Sequence, residues 1–145
     1  MADSLNEADP LAARILASFR AQSMMTTFGA RIVHVGPGLC RIAAPILPGA
    51  RQQQGYGHAA LTFGLGDTAA GYAALTVIDE RSEVITAEIK INLLAPATGG
   101  RLLAEGRVIK PGRRLIVVQS DVWVETGGDR QHVAILTGTM VPVPA

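Results

Sequence analysis

Cysteine is almost absent. Cys40 stands alone and cannot close an internal disulfide, and the three histidines are scattered without the spacing of a zinc site. These absences point to a reducing compartment and to a fold without a structural metal. Charge is scarce too, at 17% of residues, and balanced, with 13 basic against 12 acidic side chains and a net charge of +1. No basic block of the kind that nucleic acid or an anionic membrane requires interrupts that balance, so any cationic partner site has to be local. Met1–Asp9 is acidic and lacks the basic and apolar regions of a secretory signal, which makes the cytoplasm the expected location. A glycine-rich phosphate loop, a serine or cysteine nucleophile motif and a Cys/His ligand set are also missing.

What the chain has in excess is apolar surface. Hydrophobic residues are 48% of it before its 16 glycines are counted, which is high for a monomer and predicts buried subunit interfaces. A length of 145 residues suits one domain spanning 1–145. The most apolar stretch, Ala59–Ile78, has Asp67 as its only charge over about the ~20 residues a membrane span requires. Gly64, Gly66, Gly71 and the hydroxyls of Thr62, Thr68 and Thr76 argue against insertion. So does a central carboxylate, which costs roughly 2.5–3.5 kcal/mol at a bilayer centre. A helix buried inside a protein is the better reading, with no membrane insertion.

Around this segment the pattern alternates in type. Asp9-Pro10 is an N-cap and first-turn pair, and Leu11, Ile15, Leu16 and Phe19 recur at helical spacing, so a first helix is expected over about 10–21. Ala30–Val35 and Leu39–Ala44 read as a hairpin turning at Gly36-Pro37-Gly38. After the apolar helix, Val84–Leu94 alternates, with Ala87, Ile89, Ile91 and Leu93 on one face and Glu88, Lys90 and Asn92 on the other. Further strands are expected near Arg101–Ile109, Leu115–Glu125 and Gln131–Val141, joined by turns. The sheet has to bury one face, and the central helix is the only element apolar enough to receive it. The expected fold is therefore α+β, an antiparallel sheet wrapped around a central helix with an extra helix at the N-terminus.

Asp67 carries the most information. An ionised carboxylate inside an apolar helix, with no Lys or Arg within two turns, is expensive unless it faces a cavity, caps a neighbouring loop or has a chemical task. His58 precedes the helix and Ala59 opens its first turn, where free backbone N–H groups and the positive end of the dipole favour an anion or a developing oxyanion. Nine residues separate His58 from Asp67, about 13 Å along the axis and on opposite sides of it. If both ends act on one substrate, they come from different subunits across a two-fold axis, and dimerisation becomes a requirement of the mechanism. Lys110, Arg113 and Arg114 form the densest basic cluster, at a hairpin, either as a phosphate site or as solvated surface.

The run Gln-Gln-x-Gly-x-x-His-Ala, seven further residues, then Asp-Thr-Ala-x-Gly-Tyr-Ala-Ala, from Gln52 to Ala74, resembles the hotdog-fold thioesterases. The likeness is to the PaaI-like, phenylacetate-degradation branch of the 4-hydroxybenzoyl-coenzyme A thioesterase superfamily. Thr86–Ala97 and Gly106–Arg113 resemble that family's next strand and hairpin, and the likeness covers about 25–141. It implies the hotdog fold, hydrolysis of an aryl-, short- or medium-chain acyl-coenzyme A, and a homodimer or homotetramer. No separate cofactor is implied, since coenzyme A is part of the substrate. It also implies roles for particular residues. Asp67 is the nucleophile or general base and Ala59, where the family usually has glycine, is the oxyanion donor. Gln52 stands where an asparagine often holds the thioester or water. Thr86 is a candidate for placing the attacking water, and Lys110, Arg113 and Arg114 for the coenzyme A phosphates. His58 is expected to orient its loop by hydrogen bonding rather than to move protons, and His34 and His132 to be structural. A non-catalytic acyl-coenzyme A-binding module is the alternative. A hotdog hydratase is disfavoured because the helix lacks an Asp-x-x-x-x-His pattern.

Overall fold

In the computed structural model, which describes residues 5–145, the Asp9 carboxylate accepts a hydrogen bond from the Leu11 N–H at 3.1 Å and opens helix α1, Pro10–Arg20. Its apolar stripe, Ala12, Ile15, Leu16 and Phe19, is buried. A second, short helix, α2, Ser23–Thr27, follows at once and buries Met25; no periodicity is readable in five residues, and the sequence pattern had not indicated it. Strands β1, Arg31–Gly36, and β2, Leu39–Pro45, form the expected hairpin. Its turn needs glycine at position 38, where φ is +69°.

A single 3₁₀ turn at Pro48–Ala50 and a tight loop lead to α3, Ala59–Leu75. Then come β3, Ser82–Leu93, β4, Arg101–Pro111, β5, Ile116–Thr126, and β6, Asp129–Pro144. The six strands make one antiparallel sheet in the order β1-β2-β4-β5-β6-β3. Helix α3 lies across it and packs on β2, β3, β4, β5 and β6. The sheet is wrapped round the helix, the hotdog arrangement the sequence pattern had predicted.

Small residues set how closely helix and sheet approach. Ala69, Ala70, Ala73 and Ala74 are fully buried. At Gly106 on β4 a Cβ would overlap the backbone of Ala69 and Ala70, so the strand passes directly under the helix only because that side chain is missing. The Ser120 hydroxyl on β5 donates to the Gly66 carbonyl at 2.6 Å, which ties the sheet to the middle of α3. Cys40 is buried, and burial pushes its thiol up to about 12. No helix among the described residues is long and apolar enough to cross a membrane.

Strand β3 departs from the simple alternation. Its register against β6 shifts between Thr86 and Glu88, so Ala87 is the extra residue of a bulge rather than the first member of the apolar face. The bulge changes the phase of the strand. Thr86 reaches α3 on one side of it, and Ile89 and Ile91 pack against the core on the other, although an unbroken alternation would put Thr86 and Ile89 on opposite faces. Strand β3 is also a sheet edge. Leu93, expected on the buried face, is 56% exposed, and Ile85 is 55% exposed.

Candidate functional site

The loop before α3 holds itself rigidly. The Gln52 N–H donates to the Tyr56 carbonyl at 2.9 Å, the Gly57 N–H to the Ala97 carbonyl at 2.8 Å and the His58 N–H to the Ala50 carbonyl at 2.9 Å. His58 is the N-cap of α3: its Nδ1 accepts from the Ala60 N–H at 2.8 Å, which ties its ring to the first turn of the helix. With Ala60 capped in this way, the N–H of Ala59 has no protein acceptor among the described residues. It points out of the first turn of a 17-residue helix, where the dipole favours negative charge.

Ala59 opens into a cleft of about 390 Å³ that it shares with Gln52, Tyr56, Thr62 and the Leu93–Ala97 segment. Gln52 lines this cleft, but its carboxamide holds the loop. The oxygen accepts from the N–H groups of Gln54 and Tyr56, and Nε2 donates to Gln54 Oε1 at 3.1 Å. One amide proton is left for anything bound there.

Asp67 is half-buried midway along α3 and faces a second cavity, of about 180 Å³. The Thr86 hydroxyl donates to its Oδ1 at 2.8 Å. Met140 Sδ is the other contact of that hydroxyl, at 3.2 Å, and the carboxylate is much the stronger acceptor. Among the described residues no cation pairs with Asp67. Thr86 is there because of the bulge at Ala87, a device the residue pattern had not revealed.

Within one chain the expected residues thus fall into two groups. Asp67 and Thr86 share the smaller cavity, while Ala59 and Gln52 share the larger cleft, with His58 fixing the N-terminus of α3. Lys110, Arg113 and Arg114 are exposed around the β4–β5 turn, line neither cavity and pair with no carboxylate among the described residues. Three further polar residues at the Asp67 cavity, Ser18, Gln22 and Tyr72, were not picked out from sequence. The two that meet Tyr72 are 54 and 50 positions from it, and no local pattern marks such pairs.

The outer face of the sheet is of another kind. Arg41 reaches Glu105 at 2.6 Å, and Arg107 bridges Glu105 at 3.0 Å and Asp121 at 2.8 Å. His132 Nε2 lies 2.8 Å from the other Asp121 oxygen, and its ring stacks on Trp123, over which Arg130 sits at 4.6 Å. Burial alone would raise the Glu105 carboxyl, but the hydrogen bonds and charges of Arg41 and Arg107 outweigh it and hold the group below its usual range.

Comparison with known proteins adds to this geometry. Residues 54–130 match the thioesterase superfamily. A thioesterase family protein from Silicibacter pomeroyi is 34% identical and superposes with a TM-score of 0.90, covering 93% of this chain and 99% of that one. The PaaI protein from the phenylacetic acid degradation operon of Escherichia coli is 19% identical; its TM-score of 0.83, over 98% of each chain, shows a shared fold. A Saccharolobus solfataricus protein that bears the name of an esterase is 42% identical over 84 residues, 58% of this chain and 53% of that protein, so the match spans about half of that relative's length.

Proposed function

The chain belongs to the thioesterase superfamily, and from that premise we propose that it hydrolyses the thioester bond of an acyl-coenzyme A, with Asp67 as the chemical centre. The observation that carries the reading is the state of Asp67: a half-buried carboxylate facing a cavity, oriented by one hydroxyl and paired with no cation among the described residues. A carboxylate in that setting is open to a substrate or to the water that attacks it.

The free Ala59 N–H and the dipole of α3 polarise the thioester carbonyl and hold the oxyanion that forms when the carbon becomes tetrahedral. Asp67 supplies the other half by one of two routes. It takes a proton from water while the oxygen adds to the carbonyl carbon, and the intermediate then expels the coenzyme A thiolate. Alternatively, it adds to the carbon itself, expels the thiolate as a mixed anhydride forms, and leaves the anhydride for water to open. Thr86 holds the carboxylate and offers its oxygen to the water. In this reading Gln52 contributes its remaining amide proton to the substrate.

Because Ala59 and Asp67 of one chain open into different cavities, the reading joins Ala59 of one subunit to Asp67 of its partner. A two-fold contact then makes two equivalent sites. The exposed β3 edge, with Ile85, Leu93 and Leu94 uncovered, is the surface that favours such pairing. Lys110, Arg113 and Arg114 would meet the coenzyme A phosphates as exposed point charges. A homodimer is the minimum assembly, with a tetramer as its further packing, and the cytoplasm is the compartment that fits the reduced Cys40.

The test is steady-state hydrolysis of aryl-, short- and medium-chain acyl-coenzyme A thioesters, followed by release of free thiol, with Asp67→Ala and Asp67→Asn beside the parent protein. Turnover of at least one thioester, lost in both variants while their oligomers persist, supports the reading. Binding without turnover would make the protein an acyl-coenzyme A-binding module and Asp67 a structural residue.

A further inference from the structure

Helix α1 lies outside the segment that matches the thioesterase superfamily, yet it forms one wall of the cavity in front of Asp67. It is held there firmly. Ile15, Leu16 and Phe19 are buried, and the Arg14 guanidinium donates to the carbonyls of Asp79, at 3.2 Å, and Ser82, at 2.7 Å, which tethers the helix to the segment entering β3. Just beyond Arg14, Ser18 Oγ lies 3.1 Å from the Tyr72 hydroxyl, and Gln22 Nε2 donates to that same hydroxyl at 2.6 Å. Tyr72 is five residues after Asp67 on α3, about 7.5 Å further along the axis. Ser18, Gln22, Tyr72 and Asp67 all line the one cavity, and Glu83 lines it as well.

Counting protons shows what this trio can offer. The two hydroxyls carry one proton each and the carboxamide carries two, and the two contacts within the trio use two of the four. Two donors remain, whichever hydroxyl donates in the Ser18–Tyr72 contact and whichever way the amide is turned. These side chains make no other hydrogen bond to the protein among the described residues. Burial raises the Tyr72 phenol, and although the Ser18 and Gln22 bonds act against it, the net direction is upward, so the hydroxyl keeps its proton at neutral pH. Lone pairs also remain on the Ser18 and Gln22 oxygens, so the trio can accept as well as donate. Among the described residues the charged groups lining the cavity are Asp67 and Glu83, and no cation lines it.

We infer that α1 and the turn that leads from it into α2 form the specificity element of the site, and that Ser18, Gln22 and Tyr72 read the far end of the acyl group. The cavity takes a short or ring-sized acyl group that ends in a neutral hydrogen-bonding oxygen, and Glu83 with Asp67 turns away one that ends in a carboxylate. Its size agrees, since an apolar cavity of about 150 Å³ already accommodates a benzene ring and this one is about 180 Å³. The inference rests on the thioesterase reading above and adds the chemistry of the acyl group to it.

Three six-carbon thioesters that differ only at the far end test it: hexanoyl-, 6-hydroxyhexanoyl- and adipyl-coenzyme A. The parent protein should show a kcat/KM about tenfold higher for the hydroxylated than for the plain chain, the yield of roughly one net hydrogen bond, and its lowest value for adipyl. Tyr72→Phe and Gln22→Leu, made separately so that a folding defect in one leaves the other, should bring the hydroxyhexanoyl-to-hexanoyl ratio down towards one. Glu83→Gln should raise adipyl relative to hexanoyl by about threefold or more, as expected for removal of a like charge. A ratio near one in the parent protein, or a ratio kept in both variants, overturns the inference while Asp67-dependent hydrolysis stands. Hydrolysis of none of the three, nor of benzoyl-coenzyme A, overturns the thioesterase reading and the inference with it.

Discussion

The two faces of the sheet treat their carboxylates in opposite ways. On the outer face Asp121 is only 7% exposed, and it is met by Arg107, by Gln119 and by His132, while its neighbour Glu105 is gripped by Arg41 and Arg107. On the helix side Asp67 has a hydroxyl and an open cavity. Carboxylates gripped by guanidinium groups hold strands in place and are occupied by them, whereas a carboxylate that no cation meets among the described residues stays available to a ligand. The contrast supports the proposed role of Asp67 without reference to any relative.

The largest effect that sharpens this contrast is expected from Asp67→Asn, which should lower kcat/KM by roughly 10²–10⁴-fold, the usual worth of a positioned acid or base, while the melting temperature stays close to that of the parent protein. Thr86→Val, nearly the same shape, removes the hydrogen bond to Oδ1 and should lower kcat/KM by about 10-fold or more, in line with ~1.5–3 kcal/mol for a bond to a charged group. Asp121→Asn should do the reverse, retaining turnover but costing about 1–3 kcal/mol of stability in urea unfolding through the pairs it weakens. If Asp121→Asn abolished turnover and Asp67→Asn only destabilised, the two faces would have been assigned the wrong way round. The smallest effect concerns pH. Because Glu105 is held below its ordinary value of 4.5, its contribution to stability is fully present above that pH and is lost as the pH falls through its lower value in the folded protein. Glu105→Gln should therefore flatten the acid limb of a stability–pH curve, measured by thermal melts at decreasing pH.

Much of the fold was legible from residues. The Asp9-Pro10 cap, the Gly36-Pro37-Gly38 hairpin and the run of small and apolar residues in α3 all act over a few positions, and each formed where its pattern indicated. The candidate site was half legible. Asp67, His58 and Ala59 stood out because a lone charge and a helix start are local signals. The bulge at Ala87 was not, since Thr86-Ala87-Glu88 reads as plain alternation, and only pairing with β6 reveals the extra residue. The Gln52 carboxamide lines the cleft and also closes its own loop, because Gln54 and Tyr56 bring their N–H groups within its reach, a contact that the residue pattern did not reveal.

The amino-acid sequence by itself determined where α1, α3 and the six strands lie, that one helix had to be enclosed by the sheet, and that Asp67 had no cation nearby along the chain. Those are consequences of periodicity, capping and composition, which act over a turn or two. Only the tertiary structure decided that Thr86 faces Asp67, that Ser18 and Gln22 converge on Tyr72, and that Arg41, Glu105, Arg107, Asp121 and His132 form one network. In each case the partners lie on different elements, and their meeting depends on strand register, one bulge and the close pass of α3 over Gly106.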